Sequence, residues 1–250
     1  MLLAAEAAAI DAQPFTASGT YLRGAGEPPS FQIGAGGFVE EIEAFLAGPG
    51  DALAARLSSE PPPAGLALAF ASILSADATD LLLRYDVTNT AAAPLAGITF
   101  VSFVDAEIDE TLNTFFDEYA ETQGALAAGQ SFEVDEPGFA FGDIFEHARA
   151  AALDGANAVP ADAPDDVSMA LAFTIASLAP GQTARFELLL SEDGDALGGF
   201  RIRQRDVDPR SPTAITFSGS ASIVPEPGSA LLCAAGVGLL AARRRAARRG

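Results

Sequence analysis

The chain has no lysine and no tryptophan, and it holds one cysteine and one histidine among 250 residues. Each shortage closes a class of function. Cys233 alone cannot form a disulfide within the chain, so stability must come from an apolar core. It sits in an apolar run and reads as a small filler. With one histidine and that cysteine, a zinc site of the usual histidine and cysteine type is not expected. A Ser-His-Asp or Cys-His arrangement would have to use His147, and no nucleophile elbow accompanies it. Positive charge is scarce as well. All 34 acids lie at or before Glu226 together with only nine arginines, a formal charge of −25 for that part. Such a body is repelled by nucleic acid and by anionic lipid surfaces.

What the chain does have is alternation with a period of two. Val167, Met169, Leu171, Phe173 and Ile175 alternate with small or polar residues. So do Phe186, Leu188 and Leu190, then Phe200 and Ile202 between arginines, then Ile215, Phe217, Ala221 and Ile223. Leu66 to Leu74, Leu81 to Thr88 and Ile98 to Val104 read as further strands. Turn signals separate them at Pro180-Gly181, Asp193-Gly194-Asp195, Pro209 and Pro212. Seven or more short strands with one face in a core predict a mainly β, antiparallel sandwich. Tyr85 to Thr90 and Leu178 to Thr183 resemble the strand and turn phrasing of immunoglobulin-like surface domains, which implies that form of sandwich.

One or two short helices are expected beside the strands. Ile108, Leu112, Phe115, Phe116 and Tyr119 recur at helical spacing and predict a short helix or packed loop. Asp143-Ile144-Phe145-Glu146 reads as a capped helix start, with alanine-rich sequence running on to Gly155. On that helix His147 falls off the Ile144/Ala148/Ala151 face and reads as solvated. Phe38, Ile42, Phe45 and Leu46 suggest an amphipathic turn pair ended by Gly48-Pro49-Gly50. Pro61-Pro62-Pro63 is the best internal linker, yet strand-like pieces between Thr20 and Ile33 need the main sandwich for burial. One domain over residues 11–223 follows. Gly34-Ala35-Gly36-Gly37 lacks the lysine and spacing of a phosphate loop.

Catalysis has no motif in this sequence, so no enzyme is expected. Carboxylates leave one question open. Asp105, Glu107 and Asp109 have the spacing of the first half of a calcium loop. Glu110 stands where that loop needs glycine and Phe116 where it needs a bidentate glutamate, which excludes an EF-hand. An irregular calcium site remains a candidate, using these residues or Glu192, Asp193 and Asp195. Calcium is the only cofactor the sequence suggests, and solubility on loops is the alternative reading of the same acids.

The last 27 residues carry the most specific signal. Val224-Pro225-Glu226-Pro227 cannot continue a helix or a central strand. An uncharged run of 15 residues, Gly228 to Ala242, follows, about 22 Å long if helical and short of the roughly 30 Å hydrocarbon core. Arg243, Arg244, Arg245, Arg248 and Arg249 close the chain and favour the cytoplasmic side. This order resembles the PEP-CTERM sorting signal of bacterial exported proteins: motif 224–227, hydrophobic helix 228–242, arginine-rich tail 243–250. The resemblance covers about a tenth of the chain. It implies recognition of Pro225, Glu226 and Pro227 and of the Arg243 to Arg245 cluster by a membrane protease-transpeptidase, the exosortase. It also implies transient anchoring in the inner membrane, then a place at the cell surface or in an exopolysaccharide matrix. The rivals are a carbohydrate- or calcium-binding module and a single-pass inner-membrane protein that is never processed.

The first residues fit export only in part. Met1 to Ala9 lacks the basic start of a signal peptide and carries Glu6, but resembles the end of one. Residues 1–10 therefore read as the remnant of a signal whose start lies upstream. The alternative is a chain that is not exported.

Overall fold

The computed structural model describes residues 12–15, 19–22, 31–109, 115–138 and 142–224. Its strands are β1 (Ala12–Phe15), β2 (Gly19–Leu22), β3 (Phe31–Ile33), β4 (Gly37–Ala47), β5 (Ala55–Arg56), β6 (Leu66–Leu74) and β7 (Asp80–Asn89). They continue as β8 (Leu95–Ile108), β9 (Glu118–Gly124), β10 (Gln130–Asp135), β11 (Ser168–Leu178), β12 (Thr183–Ser191), β13 (Phe200–Asp206) and β14 (Ala214–Val224). A 3₁₀ turn at Phe115–Asp117 and one helix, α1 (Ile144–Arg149), complete the described elements.

Alternation along the strands produces two antiparallel sheets. One runs β10-β11-β8-β4-β3, with β5 paired to β4, and the other runs β6-β7-β12-β14-β13-β9. β1 and β2 form a separate hairpin. The inner faces meet through phenylalanine. Phe100 on β8 stacks on Phe186 of β12 at 4.7 Å and contacts Tyr85 of β7 at 4.8 Å, and Phe132 on β10 meets Phe200 of β13 at 4.9 Å. These rings lie in one apolar cluster drawing on both sheets, with Val104, Leu171, Leu188 and Phe217. With no disulfide, burial of this surface at about 25 cal/mol per Å² is the main stabilising term.

The β10-containing sheet is covered on its outer face too. Phe45, Val101, Phe103, Ala170 and Ala172 form a second apolar cluster with Ile144 and Ala148 of α1. Phe145 meets Phe45 and Phe103 edge-on, each at 5.4 Å.

Local expectations fare differently. Phe38, Ile42, Phe45 and Leu46 lie on β4, a strand between β8 and β3, not on a helical turn pair. The register of β4 on β8 slips between Val39 and Glu41. Ile42, Ala44 and Leu46 therefore face the inner cluster with Val39, and Phe45 faces α1. Between Ile108, which ends β8, and Tyr119 in β9, the expected short helix or packed loop holds a 3₁₀ turn at Phe115–Asp117, and 110–114 lie outside the described residues. α1 forms where expected but stops at Arg149, and Asp143 makes no side-chain cap bond. Among the described residues no helix is long and apolar enough to cross a membrane. The run 228–242, like residues 1–10 and the Pro-Glu-Pro motif, lies outside them.

Candidate functional site

The outer face of the β10-containing sheet turns from apolar to acidic along the strands. Register sets Glu43, Phe103, Ala170 and Glu133 in one row across β4, β8, β11 and β10. The next row reads Glu41, Asp105, Ser168 and Asp135. Glu107 follows two residues on along β8, on the same face by strand periodicity. Asp105, Glu43 and Glu133 are each only 1% exposed.

Arg56 on β5 serves one side of this face. Its Nη2 lies 2.6 Å from Glu41 Oε1 and 2.7 Å from Glu43 Oε1, and its guanidinium sits 5.1 Å from the Phe145 ring centre. Ser58 Oγ donates to Glu43 Oε2 at 2.7 Å. Burial disfavours the Arg56 charge, but Glu43 and Glu41 outweigh it and raise its pKa. A cavity of about 300 Å³ opens beside this pair, with Glu41, Arg56, Asp143 and Phe145 in its wall. Arg56→Ala removes a cation paired with two carboxylates. We expect it to lower stability by about 2 kcal/mol at pH 7, between the values for exposed and buried pairs. Urea unfolding checks this, and a midpoint equal to the parent's would contradict the pairing.

Farther along, carboxylates crowd one another. Asp105, Glu107 and Asp166 can bring one oxygen each within 4.8 Å of the others. Burial, then the charge of Asp166, pushes Asp105 up to about 8, although Ser168 Oγ donates to it at 3.1 Å. Asp166 rises to about 6 through burial, then Glu40 and Asp165. On the inner face Glu118 is raised well above the usual carboxylate range by burial and then by Glu107. The Ile108 N–H donates to Glu118 at 2.6 Å, and Gln204 Nε2 donates to it as well.

The calcium candidates are thus only partly brought together. Asp105 and Glu107 share a face because strand residues two apart do. Asp109 does not join them: past the end of β8 its φ is +51°, and its carboxylate accepts from Ser211 Oγ. Asp166, unmarked by spacing, takes the third place. Glu192 accepts the Ala35 and Gly36 N–H groups at 2.8 and 3.1 Å. Thr79 Oγ1 donates to Asp193 at 3.0 Å. Among the described residues, Asp193 and Asp195 belong to no group of three converging ligand atoms.

His147 is the largest departure from expectation. Its Nδ1 lies 2.8 Å from Glu133 Oε1 and 3.3 Å from Asp143 Oδ1, and the bond to Glu133 raises its pKa. Glu133, raised by burial, also accepts the Asp154 N–H at 3.0 Å. Sequence reasoning missed this because it did not find β10, which carries Glu133. In Gln-Ser-Phe-Glu-Val-Asp only Phe132 and Val134 are apolar, an alternation too short to stand out. No family model matches the chain, and no curated protein is significantly similar to it.

Proposed function

We propose that this is an exported bacterial surface or exopolysaccharide-matrix protein with a structural or adhesive role and no catalysis. Its C-terminal segment is its sorting signal. The observation that carries this reading is the order Pro225-Glu226-Pro227, apolar run, arginine cluster, which begins directly after the last strand residue, Val224. A run of about 22 Å behind a strong charge stop suits a segment held in the membrane for a limited time. An acidic body fits an extracellular place better than a nucleic acid or an anionic membrane surface. Exosortase is the partner during sorting, with the inner membrane as the transient anchor, and exopolysaccharide is the partner afterwards. The sandwich, in its immunoglobulin-like reading, is the exported cargo.

Processing gives the test. Surface-extracted protein should lack Arg243 to Arg249 and most or all of Gly228 to Ala242 on intact-mass analysis. A surface form ending at Gly250 would overturn the reading and favour a permanent single-pass anchor.

A further inference from the structure

We propose that Glu133, Asp143, His147 and Asp154 form a binding site for one divalent transition-metal ion of the zinc class. The inference is independent of the export reading. The four residues come from three places in the chain: β10, the start of α1, and the loop after it. A ring nitrogen of His147 and one oxygen each of Glu133 and Asp154 lie within 4.8 Å of one another, and Asp143 Oδ1 is 3.3 Å from His147 Nδ1. Ligands 2.0–2.2 Å from a tetrahedral zinc ion stand about 3.4 Å apart. Observed separations of 2.8 and 3.3 Å therefore need little widening to admit one.

Two features distinguish this group from an acid cluster on a surface. The first is stoichiometry. Nδ1 carries at most one hydrogen and gives it to one acceptor, yet carboxylates of two residues, Glu133 at 2.8 Å and Asp143 at 3.3 Å, lie against it. A cation at that point serves both. The second is the orientation of Asp143. It stands at the N-cap of α1, where an aspartate side chain ordinarily accepts a backbone N–H. It makes no such bond, and its Oδ1 lies instead near the imidazole. An imidazole in the donor set selects zinc, nickel or copper over calcium and magnesium, which favour oxygen alone.

His147 is the only histidine of the chain, so the imidazole itself is the probe. The experiment uses the full, untagged chain in detergent, with Cys233→Ser to remove the one thiolate. One equivalent of zinc at micromolar concentration should shift the single histidine Nδ1 resonance, and calcium at the same concentration should not. Calorimetry should show zinc affinity falling at least tenfold in both His147→Asn and Asp154→Asn. Asp105→Asn should leave it unchanged. An Nδ1 resonance unmoved by stoichiometric zinc overturns the proposal, whether or not the variants fold. So does zinc affinity retained in a folded His147→Asn.

Discussion

Phe100→Ala is expected to lower the stability of the sandwich by about 3–5 kcal/mol. The ring is fully buried and stands at the centre of the inner contact, with Phe186 stacked on it and Tyr85 tilted against it. These partners lie on β12 and β7, in the opposite sheet, so no single strand can shift to fill the space. The cost therefore includes a residual cavity as well as lost transfer energy. Denaturant unfolding of the parent and variant measures it. A difference below about 1 kcal/mol would mean that the two sheets do not rely on this contact.

Asp105→Asn is expected to do the reverse, stabilising the protein at alkaline pH. Asp105 has its folded value raised to about 8. Below about pH 4 both folded and unfolded chains hold its proton, so the group carries no penalty. As pH rises toward 8, the unfolded chain loses the proton while the folded chain keeps it, and stability falls. Above 8 the penalty is complete. Asparagine keeps an oxygen for Ser168 and removes the titration. In chelator, the variant should melt higher than the parent by about 5 °C or more at pH 8.5, with the gap closing toward pH 4. Protonation of His147, whose pKa is raised, also favours stability at low pH, but equally in both proteins. Two parallel pH profiles would show that the Asp105 carboxylate is not strained by its neighbours.

Strands with one face in the core and one facing out were the plainest to read in the sequence. β6, β7, β12 and β13 alternate cleanly because each step along a strand reverses the side chain; β8, β11 and the first half of β14 are buried on both faces and were read as strands all the same. β4 was hidden by two separate effects. Its outer face is buried under α1, which removes the alternation, and the slip at Glu40 shifts the apolar set by one residue. Phe38, Ile42, Phe45 and Leu46 then imitate the three-and-four spacing of a helix. β9, Glu-Tyr-Ala-Glu-Thr-Gln-Gly, had no apolar pattern to read.

The acidic site followed the same logic. Asp105 and Glu107 were legible as a pair because spacing within one strand is a local fact. Asp166 was not, since β11 reaches β8 across more than sixty residues of sequence, as the pairing of Ser168 with Asp105 shows. His147 was placed correctly on α1, but its partners depend on β10 lying beside β11. No one-dimensional pattern encodes that neighbourhood.

The place of β14 bears on how the domain meets a mechanical load. Val224 is still paired with Thr183 on β12, and farther back Ala214 to Ser218 pair with β13. The strand nearest the C-terminal segment therefore runs through the middle of its sheet. A pull applied at Val224 acts along the strand, while the interstrand hydrogen bonds lie across it. Those bonds are sheared together and resist as a group. The same pull on an edge hairpin would unzip them one at a time. A tether attached at this point would hold the body by the part of the sheet that is hardest to draw out.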